Sequence, residues 1–284
     1  MSAQSEAVRA RSVTPSPDGP DPFHRVNDVL PIDQELVSVA FDTPVTNALA
    51  TMKAKGYSQL PVMAGGQVLG IFSHRSFANK VPELSGKKVD PDQLPVGEFI
   101  EPAKFVHVMD DLGDTLKVLD KDDAILVGSR DRLQGILTTW DLVKHLYRIS
   151  SPYILLKEIE LALREIIRRS ISWEKLQEVM KQALKDVYDP DDMPTSLEKM
   201  TVSDYAQVIG YGDARQYFQE AFGRGDYQRN TTRAKLLEVG RLRNDVFHFK
   251  RQLDNADIDK LVAHRDWIRN VLTALKEKRI ERQL

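Results

Sequence analysis

Two short apolar runs separated by a polar turn occur twice in the first half of the chain. Leu60-Pro61-Val62 leads through Gly65-Gly66 to Val68-Leu69-Gly70-Ile71-Phe72-Ser73. About 65 residues later, Ile125-Leu126-Val127 leads to Leu133-Gln134-Gly135-Ile136-Leu137-Thr138. Each pair predicts two strands joined by a turn. A helical pattern precedes each pair: Val45, Ala48, Leu49 and Met52 in the first, Leu112, Leu116 and Leu119 in the second. Another follows each, around Ser76 to Asn79 and around Asp141 to Tyr147. A strand, helix, strand, strand, helix unit repeated within about 125 residues predicts two small α/β lobes packed on one another.

The pattern changes at Ser151-Pro152. Proline is expected to open a helix there, with Leu155, Ile159, Ala162, Leu163, Ile166 and Ile167 spaced by three and four. Further helices are expected from Trp173 to Val187, Leu197 to Ile209 (with a turn or cap at Thr201 to Asp204), Asp213 to Phe222, Thr232 to Gln252, and Ile258 to the C-terminus. Loops fall at residues 189–194 and at Gly223 to Asp226, and Gly210 to Asp213 reads as a helix cap and turn. Strand-like alternation is absent, so residues 151–284 are predicted to be all-α. Residues 1–22, rich in Ser, Pro, Asp and Ala, carry too little apolar content to pack and read as a disordered tail. Residues 23–150 then form the α/β part.

Composition narrows the chemistry. With 40 basic and 42 acidic residues the net charge is -2, so any anion site must be local. The absence of cysteine excludes disulfides, thiolate metal sites and cysteine nucleophiles. The six histidines show no metal-ligand spacing, and no metal is expected. No apolar run approaches the roughly 20 residues of a membrane span, and the N-terminus lacks a signal peptide's apolar core. A soluble, cytoplasmic protein is expected.

The stretch Gly135-Ile136-Leu137-Thr138-Thr139-Trp140-Asp141, together with the repeat, carries a resemblance. Residues 24 to 149 look like a tandem pair of CBS domains, a module that usually senses adenine nucleotides. The family motif is Gly, an apolar residue, any residue, Ser or Thr, two further residues, then Asp. The second copy satisfies it. The first reads Gly70-Ile71-Phe72-Ser73-His74-Arg75-Ser76, with Ser76 where Asp is expected. The resemblance implies that Thr138 contacts phosphate and Asp141 the ribose hydroxyls of AMP, ATP or a related compound. Ser73 would keep a phosphate contact in the other copy, with Arg75 as charge partner and no ribose anchor. Thr138 and Asp141 equally describe an N-cap with an acidic residue three positions on, a capping box.

In the expected fifth helix Val239, Leu242, Val246, Phe249 and Leu253 form one apolar stripe. Asn244 and His248, four apart, share a face roughly opposite it, and Arg243 flanks it. A fixed cation beside an imidazole that titrates near neutral pH is a minimal kit for cleaving RNA. Arg, a polar residue, three others and His on a late helix resemble the HEPN family, as does the first helix with Leu156 to Glu160 and Leu163 to Ile167. The resemblance implies metal-independent RNA cleavage in a cleft where two copies meet. Arg243 would offset phosphate charge, His248 would transfer a proton, and Asn244 would orient the phosphate or His248. His264 to Trp267 and the basic tail Lys276 to Arg279 read as solvated helix faces.

The expected fold is thus α+β: a two-lobed pair of mixed α/β repeats followed by an all-α bundle. The expected function is a nucleotide-regulated, metal-independent ribonuclease that works as a homodimer. The alternative is a non-catalytic nucleotide-sensing dimer whose helices bind RNA or protein.

Overall fold

The computed structural model describes residues 23–31, 34–85 and 88–281, the side chains of 279–281 excepted. The tail expected over residues 1–22 lies outside the described residues. The chain divides into two compact units at Leu146 and Tyr147.

The first unit opens with α1 (Val26–Val29), β1 (Val39–Ala40), α2 (Val45–Lys55), β2 (Gln59–Ala64), β3 (Gln67–Ser73) and α3 (His74–Lys80). The second copy supplies β4 (Phe105–Val106), α4 (Leu112–Leu119), β5 (Ala124–Gly128) and β6 (Leu133–Thr138). Each copy builds a three-stranded sheet, β1-β2-β3 and β4-β5-β6, with one parallel and one antiparallel pairing. The registers repeat as well as the order. Val39 pairs Val62 where Val106 pairs Val127, and Pro61 pairs Ile71 where Leu126 pairs Ile136. The strands hold because their apolar residues bury against helices: Val62 and Phe72 with Val45 and Met52, Ile125 and Leu137 with Leu112 and Leu119.

The two lobes exchange their leading segments. Val26 and Val29 of α1 are buried in the core of the second lobe, whereas Val96 and Phe99, which precede β4, are buried in the core of the first. Each incoming segment crosses a strand at a glycine. A Cβ at Gly70 would lie 2.5 Å from the Glu101 carbonyl oxygen, and one at Gly135 would lie 2.5 Å from Leu30 Cδ1. Under the Gly70 crossing the near atom is backbone and only hydrogen fits, whereas at Gly135 the Leu30 side chain would have to give way.

The second unit contains most of α5 (Thr139–Ser170), then α6 (Trp173–Ala183), α7 (Val202–Gly210), α8 (Arg215–Phe222), α9 (Asp226–Phe247) and α10 (Asn255–Glu281). Among its described residues there is no strand. The stripe Leu155, Ile159, Leu163, Ile166, Ile167 is buried with Tyr205, Leu236, Val239 and Ile268 in one core.

Three expectations need correction. The helix does not open at Pro152, which lies inside α5. Proline has no N–H for the carbonyl four residues back, that of Arg148, but the Ser151 hydroxyl donates to that oxygen at 3.4 Å. A neighbouring side chain thus supplies the missing donor and the helix runs on. The helix expected over 232–252 instead spans Asp226–Phe247, so Phe249 leaves the stripe: it is 85% exposed, with φ of 51°. Finally, residues 264–267 are not a solvated face throughout: His264 and Trp267 turn inward. His264 is buried with Nε2 2.8 Å from Glu238 Oε2, and Trp267 packs against Phe222 at 5.7 Å between ring centroids. This face of α10 lies against α8 and α9, a contact that charge content alone does not reveal.

Candidate functional site

The last strand and first helical turn of each copy meet at a hydroxyl-bearing residue. In the second copy, Thr138 ends β6 and Asp141 sits in the first turn of α5. The Asp141 Oδ2 accepts from the Thr138 backbone N–H at 3.0 Å and from the Thr138 hydroxyl at 2.6 Å. The Asp141 N–H donates back to Thr138 Oγ1 at 3.2 Å. These bonds satisfy donors that every helix start exposes. Both bonds to the carboxylate use Oδ2, and among the described residues no donor reaches Oδ1. The capping pattern therefore leaves one carboxylate oxygen available.

In the first copy Ser73 caps α3 in the same manner. Its hydroxyl accepts from the Ser76 N–H at 2.9 Å, and Ser76 Oγ accepts from the Ser73 N–H at 2.8 Å. Ser76 Oγ also donates to the Ser73 carbonyl at 3.0 Å, so its hydroxyl is turned onto its own cap. Serine keeps the cap and supplies no second oxygen.

The two copies differ more in the space beside these caps. Thr138 and Asp141 line a cavity of about 580 Å³, shared with Gln34, Tyr57, Asp123, Trp140 and Lys144. Ser73 and Arg75 line a space of only about 20 Å³, with Glu101, Lys104 and Asp122. Gln34 and Glu101 explain the difference. Each stands five residues before an equivalent strand position, Val39 or Val106. Glu101 pairs with Ile71 through its backbone, at 3.0 and 2.9 Å. Gln34 makes the same two-bond contact with Ile136 through its side chain: Nε2 donates to the Ile136 carbonyl at 2.7 Å, and Oε1 accepts from the Ile136 N–H at 2.8 Å. A carboxamide has the donor and acceptor of a peptide but sits at the end of a side chain. It satisfies the strand edge while holding its own backbone a side-chain length away. One lobe closes peptide on peptide. The other stays open.

Arg75 is occupied. Its guanidinium pairs with Glu101 at 3.2 Å and Asp123 at 2.9 Å. The hydrogen bond to Glu101, reinforced by the nearby carboxylates, raises its pKa further above the usual arginine value. Sequence reasoning named Thr138, Asp141, Ser73 and Arg75. It passed over Trp140 and Lys144, although both lie on the helix that begins beside Asp141. Gln34 is 102 residues from Ile136, and no local signal marks it.

In the helical unit, Asn244 sits in the last turn of α9, Arg243 immediately precedes that turn, and His248 is the C-cap residue. The His248 N–H donates to the Asn244 carbonyl at 3.1 Å, so the two residues stand one turn apart at the helix end. His248 is exposed and Asn244 half-buried. Arg243 lies over the Phe247 ring at 4.8 Å, and its Nη1 donates to Asn244 Oδ1 at 3.4 Å. Phe247 in turn meets Tyr153 edge-on at 5.4 Å. The stacked ring and the Asn244 carboxamide hold the guanidinium at the end of α9, the helix end that His248 caps.

Among the described residues, no group of three or more His, Asp or Glu is placed to hold a metal ion. No helix among them is long and apolar enough to cross a membrane.

Comparison with known proteins adds the following. CBSX2, solved in complex with AMP, is 26% identical over 45% of this chain and 98% of its own, with a TM-score of 0.38. A protein from Burkholderia ambifaria MC40-6, described as a signal-transduction protein with CBS domains, is 21% identical over 43% of this chain and 90% of its own, with a TM-score of 0.38. A protein from Methanocaldococcus jannaschii, described as an archaeal homolog of g-AMPK, is 21% identical over 43% of this chain and 50% of its own, with a TM-score of 0.39. No curated protein matches the chain in sequence. The family model described as CBS domain matches residues 26–83, which span α1 to α3 and the whole first sheet, and this segment is a CBS domain.

Proposed function

We propose that the chain is an adenine-nucleotide sensor whose helical unit is its effector. One observation carries this reading: the cavity of about 580 Å³ that joins the Thr138–Asp141 cap to aromatic walls at Tyr57 and Trp140. Its size lies within the roughly 300–1,000 Å³ typical of small-molecule sites. Thr138 is the phosphate contact, the free Asp141 oxygen accepts from ribose hydroxyls, and the aromatic side chains flank the base. The experiment is thermal unfolding of the full chain with AMP. A ligand that binds only the folded state, at about 100 times its Kd, adds about 2.7 kcal/mol of stability and raises Tm. An unchanged Tm at millimolar AMP, ADP and ATP argues against a nucleotide site.

For the effector, the placement of Arg243, Asn244 and exposed His248 at one end of α9 favours a metal-independent ribonuclease, in keeping with the HEPN resemblance. Arg243 would offset charge on the scissile phosphate, and His248 would take or give a proton at the 2'-hydroxyl or leaving oxygen. Nucleotide would control cutting only by binding two arrangements of the protein with different affinity. Incubation with mixed RNA in EDTA should yield 2',3'-cyclic phosphate ends, and both Arg243→Ala and His248→Ala should abolish them. Cutting by the His248→Ala protein, or a need for magnesium, would replace this effector with an RNA- or protein-binding scaffold.

A further inference from the structure

The charges around the larger cavity are uneven. Among the described residues its lining contains three carboxylates, Glu35, Asp123 and Asp141, against one cation, Lys144. Each carboxylate already has a partner. Glu35 accepts from Lys55 Nζ at 2.7 Å, Asp123 forms an ion pair with Arg75 at 2.9 Å, and Asp141 Oδ2 accepts from the Thr138 cap residue. Lys144 has none: among the described residues no carboxylate lies within ion-pair distance of it. Its side chain runs back along α5 until Nζ stands 5.6 Å from the Trp140 ring centroid, toward the helix start that Thr138 caps.

We propose that this cavity selects an adenine nucleoside monophosphate over the di- and triphosphates, with Lys144 as the residue that takes the single phosphate. The proposal rests on the adenine-nucleotide reading above and adds the class of nucleotide to it. One phosphate brings about −1.5 to −2 charges, which one uncommitted ammonium beside a hydroxyl can meet. Each further phosphate brings at least one more negative charge and, among the described lining residues, finds no second free cation. It finds Asp123 and Glu35 instead, in a concave site where like charges are poorly screened. Arg75 and Lys55 cannot serve without releasing those same carboxylates. Adenosine, with no phosphate, leaves Lys144 unused. Affinity should therefore peak at one phosphate.

The test is titration calorimetry of the full chain in EDTA with adenosine, AMP, ADP and ATP. AMP should bind at least about tenfold tighter than ATP and about tenfold tighter than adenosine, the scale of one charge-assisted hydrogen bond. Lys144→Ala should weaken AMP by about tenfold while moving adenosine by less than about twofold, and Lys144→Arg should restore most of the AMP affinity. Because Lys144 is an exposed position on α5, the substitution leaves the cores intact. ATP binding as tightly as AMP overturns the proposal, and so does an equal loss for AMP and adenosine in Lys144→Ala. If none of the four compounds binds, the nucleotide reading falls and this proposal falls with it.

Discussion

At Asp141, one carboxylate oxygen fastens a helix start and the other is left over. This division predicts two separable losses on substitution. Asp141→Ala should destabilise the first unit by about 0.5–2 kcal/mol, the usual range for a lost cap, read from urea unfolding. It should also weaken nucleotide binding by about 1.5–3 kcal/mol, the range for a hydrogen bond to a charged group, read by calorimetry. Ser76→Ala should show a cap loss alone, because its hydroxyl is spent within its own turn and the space beside it is about 20 Å³. An equal binding loss from both substitutions would place the ligand in the wrong lobe. The sequence announced this difference, since a single letter, Ser for Asp, stands at the last motif position of the first copy.

At the scale of elements, Tyr205 of α7 fastens three pieces of the helical unit. It is fully buried, donates its hydroxyl proton to the Leu197 carbonyl at 2.5 Å and accepts from Arg164 Nε of α5 at 3.0 Å. Tyr205→Phe keeps the ring and strips the hydroxyl, so it should cost about 1–3 kcal/mol through the donor and acceptor left unmet, measured by denaturant unfolding. Burial raises the Tyr205 pKa above its ordinary value, against the opposing pull of Arg164. The folded state then holds the proton more tightly than the unfolded state does. This contribution is complete below the unfolded tyrosine pKa of about 10 and is lost as pH rises through the raised folded value. Stability should fall above about pH 10, and less steeply in Tyr205→Phe.

These same helices show what periodicity can and cannot give. The stripe from Leu155 to Ile167 and the cap at Thr201 and Asp204 are where the spacing predicts them, because 3.6-residue recurrence and capping chemistry are local properties. Helix ends were harder. Phe249 fits the apolar stripe by spacing, yet α9 stops at Phe247 and the ring faces solvent. Pro152 reads as a start because nothing in the pattern says that Ser151 will supply a replacement donor. His264 carried no sign of its partner Glu238 because the two lie on different helices.

For the whole molecule, the α/β repeat was legible because it recurs in sequence, whereas the exchange of leading segments between lobes was not. The cavity is made by residues as distant as Gln34 and Asp141, and only the folded chain brings them together. On the reading proposed above, a HEPN-type cleft needs two copies of the α9 end. The chain should therefore run in light scattering at twice its 32.3 kDa mass. A monomer at micromolar concentration with cleavage intact would count against a shared cleft.

The carboxamide of Gln34 and the peptide of Glu101 perform the same bonding in two lobes, and the difference in reach has an informational consequence. A tandem receptor with two open cavities can weigh one ligand against another and report a ratio. On the reading proposed above, with one lobe sealed by a backbone rung among the described residues, this chain takes a single input. It should bind one nucleotide per chain and respond to an absolute concentration. Shortening Gln34 to a residue that cannot reach Ile136 would remove the spacer, and the receiver proposed here would lose that channel.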